Sequence, residues 1–209
     1  MSKSKFPILP QSVPSRGSAL SRKFFKQLFL AQGWKFEGEF PNLAKAVAII
    51  SPHTSNIDAW IGFNALLGLG LDITIFGKDS LFRTPLKPIL EWVGVIPVVR
   101  DTPHGQTQQI IDVIQRKEKI WVGMAPEGSR KAPEKIRSGF YHIAHGAHLP
   151  LVMFGFDYET KTIRILGVYQ TTGNFEADLD NILSYYTGKI SAKNPEWIAK
   201  PLQKHAKKS

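Results

Sequence analysis

The sequence contains no cysteine, which excludes disulfides, thiolate metal sites, iron–sulfur clusters and a cysteine nucleophile together, and suits a reducing compartment. It also lacks a long apolar run. The longest weakly polar stretch lies between Asp58 and Asp72, about thirteen residues against the roughly twenty that a bilayer-spanning helix needs. The G-x-S-x-G turn that presents a hydrolase serine does not occur. "FGKDS" at 76–80 fails both the spacing and the final residue of a phosphate loop. The start, "MSKSKFPILPQSVPSRG", is broken by prolines and has no apolar core of the secretory kind. Acids are scarce too: 17 Asp and Glu stand against 27 Lys and Arg.

The resulting net charge of +10 is not spread evenly. Lys3, Lys5, Arg16, Arg22, Lys23 and Lys26 near the start, and Lys200, Lys204, Lys207 and Lys208 near the end, account for all of it. The body between them is neutral, so the basicity is a property of the two ends. Such ends meet anionic surfaces: lipid headgroups, acidic proteins or nucleic acid. With 209 residues, 43% of them hydrophobic, the chain can bury one substantial core.

Strand and helix patterns alternate along that body. Residues 1–17, rich in Pro, Ser and Lys, read as a flexible basic arm, and 200–209 as a basic tail, leaving 18–199 as the domain. "SALSRKFFKQLFLAQG" is an amphipathic helix with Leu20, Phe24, Leu28 and Ala31 at helical spacing. "KAVAIIS", "LDITIFG", "VIPVV" and "IWVGMA" are strands, separated by helices starting near Asp58, Pro85 and Gln106. A helix near "GFYHIAHGA", strands "LPLVMFGFDY" and "TIRILGVYQ" joined through "ETK", and a helix near "EADLDNILSYYTG" follow. The fold class is therefore α/β: one domain with a largely parallel central sheet flanked by helices, preceded by the amphipathic helix.

Chemistry concentrates where strands end. In "SPHTSNIDAW", His53 and Asp58 stand five apart. On one helix they would be turned about 140° from each other, so they meet only if the backbone changes course between them. Ser55 and Asp58 form the [ST]-x-x-[DE] capping box, which starts a helix at that point and folds Asp58 back toward His53. An imidazole pinned by a carboxylate is a general base aimed at a hydroxyl. The plainer reading is a helix cap beside a loop histidine. A second turn, "APEGSRK" at 125–131, follows another strand and carries Glu127, Gly128, Ser129 and Arg130; the hydroxyl and guanidinium suit phosphate. "GVIPVVRD" puts Arg100 at the end of a third.

Together these resemble the glycerophospholipid acyltransferase family. "PHTSNID" matches its N-H-x-x-x-x-D motif except for Pro52, "GVIPVVR" its Gly-to-Arg motif through Gly94 and Arg100, and "EGSR" its E-G-T-R motif with Ser129 for Thr. "LPLVMFGF" matches only half of a two-proline motif, with Met153 in place of the second proline. The resemblance spans about residues 45–157. It implies that His53 deprotonates an acceptor hydroxyl that attacks an acyl thioester, with Asp58 orienting His53. It further implies that Arg100, Glu127, Gly128, Ser129 and Arg130 hold a lysophospholipid-like acceptor, with the arginines on its phosphate. No metal and no bound cofactor is implied; the co-substrate would be an acyl-CoA or acyl-carrier-protein thioester. The expected location is cytoplasmic, peripheral on the inner face of the membrane, with an anionic membrane rather than nucleic acid as partner. Lys78, Arg83 and Lys87 are read as a solvated face or as a groove for an acyl carrier protein. A noncatalytic lipid- or nucleic-acid-binding module is the alternative, and need of His53 separates the two.

His142, His145 and His148 do not read as a metal site, because spacing three spreads them over about 240° of helix and no carboxylate joins. The first helix reads as docking on an anionic membrane or as packing on its own sheet, and both hold together if Phe25 and Phe29 face outward while Leu20 and Leu28 face the core.

Overall fold

The strand at Lys45–Ser51 decides the architecture: Ala46 and Ala48 point into one apolar cluster, and Val47 and Ile49 into another. A strand buried on both faces belongs in the middle of a sheet covered by helices on each side. The computed structural model, which describes residues 6–78, 82–85, 87–98 and 105–207, has that form. In chain order its elements are α1 (Ala19–Ala31), β1 (Lys35–Glu37), β2 (Lys45–Ser51), α2 (Asn56–Leu69), β3 (Ile73–Lys78), α3 (Lys87–Trp92) and β4 (Val95–Val98). Then come α4 (Gly105–Gln115), β5 (Ile120–Met124), α5 (Gly139–Gly146), β6 (Leu151–Asp157), β7 (Thr162–Tyr169), α6 (Phe175–Ser184), a 3-10 turn (Pro195–Trp197) and α7 (Lys200–Gln203).

The seven strands lie in the order β1-β7-β6-β2-β5-β3-β4. β6, β2, β5, β3 and β4 run parallel, β7 turns back antiparallel to β6, and β1 runs parallel to β7. This is the expected α/β sheet, largely parallel. One face packs on α4, α5 and α6 through residues such as Ile114, Ile143 and Ile182; the other packs on α1 and α2 through Phe29, Ile61 and Ala65.

Differences from the sequence reading lie at the ends and on α1. The basic arm is packed from Phe6 onward: Phe6 and Val13 are buried, and Arg16 N–H donates to the Gly70 carbonyl at 2.8 Å. The C-terminal residues also close onto the body. Leu202 of α7 is fully buried, and Lys207 reaches the buried Asp157 at 2.8 Å. Strand β1 gives no periodic signal because it is three residues long.

α1 departs from the outward-Phe29, inward-Leu20 facing: Phe29 is fully buried, whereas Leu20 is 79% exposed with Phe24 62% exposed beside it, and Phe25 and Leu28 are half-buried. The cause is the antiparallel crossing with α2. A Cβ at Gly68 would lie 2.9 Å from the backbone N of Lys26, so the two helices approach backbone to backbone there. That crossing turns Arg22, Lys26 and Phe29 inward and leaves the Leu20–Phe24 edge outside.

Candidate active site

β2 ends at Ser51, and the next four residues turn the chain into α2 at the carboxyl edge of the sheet, where open α/β folds place their ligands. Ser55 is the N-cap of α2, and the capping box forms as its sequence indicates. Asp58 Oδ2 accepts from the N–H groups of Thr54 at 2.6 Å and Ser55 at 2.7 Å. The same oxygen lies 3.3 Å from His53 Nδ1. The change of course between His53 and Asp58 thus brings the pair together.

Asp58 is fully buried. Burial opposes its ionisation, but hydrogen bonds from His53, Tyr158, Ser55 and Thr54 outweigh that and hold its pKa below the ordinary carboxylate value. Tyr158, at the end of β6, donates its hydroxyl to Asp58 Oδ1. With Nδ1 occupied by Asp58, the other ring nitrogen of His53 is the one left for chemistry, and the side chain is a quarter exposed.

His53 and Asp58 are among the residues that line a cavity of about 400 Å³. Its other walls are apolar: Ile50, Phe63, Leu66, Ile75, Phe154 and Phe156 are representative. The volume is that of a small-molecule site, and the lining fits a hydrocarbon chain.

The second motif wraps the same loop. Glu127 is buried, and its Oε1 accepts from the His53 backbone N–H at 3.2 Å. Burial drives its pKa up, against the lowering influence of Ser51 and His53. Glu127 is turned inward and braces the histidine loop. Gly128 takes φ +63°, and a side chain there would collide with Arg137 Cγ at 2.8 Å, so this turn needs glycine. Ser129 and Arg130 are exposed, and Arg130 Nη1 donates to Asn56 Oδ1 at the first residue of α2. Arg130 therefore stands beside the His53–Asp58 pair. Arg100 lies outside the described residues.

Three neighbours were not singled out from sequence. Tyr158 binds Asp58. Asn194 holds the loop through Thr54, its N–H on the hydroxyl at 3.3 Å and its side-chain amide on the carbonyl at 2.9 Å. Arg137 lies exposed across Gly128. Two of the three lie more than 100 residues from His53 in the chain, and no local motif marks any of them. Among the described residues no three of His, Asp and Glu converge as a metal site, and His145 Nδ1 is engaged with Thr171 at 3.1 Å.

A buried carboxylate in contact with a histidine thus stands at the sheet edge and lines an apolar cavity. A model of the family described as Acyltransferase matches residues 35–156, more than half of the chain, and the chain belongs to that family. The fold is similar to the crystal structure of the 1-acyl-sn-glycerophosphate (LPA) acyltransferase PlsC from Thermotoga maritima. The TM-score is 0.54 at 15% identity, over 78% of this chain and 73% of that one. No curated protein matches the sequence.

Proposed function

We propose that the protein is an O-acyltransferase that moves a fatty acyl group from a thioester to the hydroxyl of a lysophospholipid-like acceptor, at a membrane surface. The observation that carries this is the His53–Asp58 pair, 3.3 Å apart, in the lining of the apolar cavity. The acyl chain fills the cavity and presents its carbonyl at His53. Nε2 takes the proton of the acceptor hydroxyl as that oxygen attacks the carbonyl, and Asp58 stabilises the imidazolium that forms. The tetrahedral intermediate collapses by breaking the carbon–sulfur bond, and the departing thiolate takes the proton from His53. Thiolate is a good leaving group, so no acyl-enzyme is required. Arg130 and Arg137, exposed on either side of Gly128, are placed to meet an anionic headgroup. The 1-acyl-sn-glycerophosphate acceptor named for the Thermotoga protein is the first to try.

α1 carries the membrane contact. Leu20 and Phe24 project outward with Lys23 exposed beside them, the apolar and basic pairing that holds a helix in a headgroup boundary. No helix among the described residues is long and apolar enough to cross a membrane.

The test is thioester consumption with a panel of lysolipids. His53→Ala is expected to lower turnover roughly 10²–10⁴-fold with an unchanged thermal midpoint, because His53 sits on a loop outside the core clusters. An active His53→Ala protein would sink the mechanism and favour a noncatalytic lipid-binding module.

A further inference from the structure

The two oxygens of Asp58 are served unequally. Oδ2 takes the N–H groups of Thr54 and Ser55 and faces His53 Nδ1. Oδ1 has one partner among the described residues, the Tyr158 hydroxyl. The carboxylate is fully buried, so without that donor one oxygen of an anion would sit in the protein with nothing to replace water.

Tyr158 is held where it can do this from two sides. Its ring packs edge-on against Trp34, with centroids 5.0 Å apart at 88°. Its backbone follows directly on Asp157, which binds Lys207, Arg164, Thr160 and Ser191. The family match ends at residue 156, so this donor lies beyond it.

We infer that Tyr158 is a positioning residue of the catalytic pair: its hydroxyl completes the donor set around Asp58 and keeps the carboxylate ionised and turned toward His53. The inference rests on the general-base reading of His53. The reacting atoms are at His53 and Tyr158 acts only through Asp58. If the carboxylate lost this donor it would bind a proton more readily, and a neutral Asp58 cannot stabilise the imidazolium. The acid limb of the pH–rate profile would then move to higher pH. Other titratable groups face the pair. Glu127 lies against the His53 backbone with Tyr186 behind it, and Arg130 is held at Asn56. From α1 the neighbour is the neutral Gln32, on Trp60; from the C-terminal segment it is the neutral Asn194, with Lys193 exposed beside it.

The experiment measures kcat and KM for acyl-CoA across pH in the full chain carrying Tyr158→Phe, 3-fluorotyrosine at 158, Glu127→Gln or His53→Ala. Tyr158→Phe keeps the ring against Trp34 and is expected to lower kcat about ten-fold, leave the thioester KM within two-fold, and raise the acid limb. Fluorotyrosine, a stronger donor of nearly the same shape, is expected to lower the acid limb, and this arm decides the question should the Phe variant fail to fold. In an Asp58→Asn background both effects should vanish, since the residue they act through is gone. The same shifts in a Glu127→Gln background assign them to Asp58 rather than to Glu127. An unmoved acid limb in both Tyr158 variants, with His53→Ala inactive, overturns the inference while leaving the base reading intact. An active His53→Ala overturns the base reading, and this inference with it.

Discussion

Replacing Leu20 and Phe24 together by serine separates membrane docking from folding. Neither side chain contributes to the core: they are 79% and 62% exposed. Full transfer of a Leu or Phe side chain out of water is worth about 1.5–3 kcal/mol. Scaled by those exposures and by a headgroup boundary that buries only part of each, the pair contributes about 1.5–3 kcal/mol, roughly 10–100-fold in partitioning. The thermal midpoint should move little, since surface changes of this kind stay within about 0.5 kcal/mol. Phe29→Ser is the contrasting variant. Phe29 is fully buried against Phe6 and Phe36, and its loss should cost about 3–5 kcal/mol of stability. Sedimentation with vesicles of graded anionic lipid content, at low and high salt, reads the partitioning. Lys23→Gln should weaken binding by about 1 kcal/mol at low salt and by less at high salt. Wild-type binding by the Leu20/Phe24 double variant would remove this face of α1 as the docking element. A large drop in its thermal midpoint would show that the residues pack rather than dock.

Two further outcomes follow from the geometry. Arg130→Ala and Arg137→Ala should each raise KM for a phosphate-bearing acceptor by about ten-fold or more, from a charge-assisted contact worth about 1.5–3 kcal/mol, with thioester KM unchanged; wild-type constants for every anionic acceptor would remove the headgroup role. Asp178, buried at the head of α6, is held at about 2 by donors from Tyr141, Tyr169 and Thr172 that outweigh its burial. A depressed folded pKa gives stability that is complete above the unfolded value near 4 and is lost as pH falls toward 2. Asp178→Asn should therefore be less stable at neutral pH and lose less between about pH 4 and 2 than the wild type, which urea unfolding at each pH would measure.

What could be read in the sequence is what depends on near neighbours. Ser55 and Asp58 are three apart, so the capping box, the helix start and the meeting of Asp58 with His53 were all local consequences. The long strands and helices carried their own periodicities. The facing of α1 did not, because six apolar residues cover half of the wheel and either edge could lie inward. Gly68, on another helix, decides it by letting the backbones touch at Lys26. The Glu-Gly-Ser-Arg turn was visible as chemistry and opaque as geometry. The same letters serve a glutamate facing outward to a ligand or inward to His53 N–H, and only the packing against β2 chooses.

The long-range contacts that escaped the sequence reading have a common origin. Tyr158 is 100 positions from Asp58, Asn194 is 140 from Thr54, and Lys207 is 50 from Asp157. Each connects the C-terminal part of the chain to the loop after β2 or to the strand beside it. The family-matched region ends at residue 156, so it contains His53 and Asp58 while the later chain supplies much of what holds them still. Asp157 is the hinge of this arrangement. Burial works against its charge, yet Lys207, Thr160, Ser191 and Arg164 together hold its carboxyl well below the usual range. A buried anion satisfied by two cations and two hydroxyls loses about 3–5 kcal/mol when one partner is removed. The strand end that delivers Tyr158 is therefore tied to the last turn of the chain. A deletion from Lys200 onward should disturb the dyad before it disturbs the sheet: kcat should fall and the acid limb should move while the far-ultraviolet dichroism stays close to that of the whole chain. Loss of secondary structure at the same step would mean that α7 is part of the core's cooperative unit, and that the dyad has no separate dependence on it.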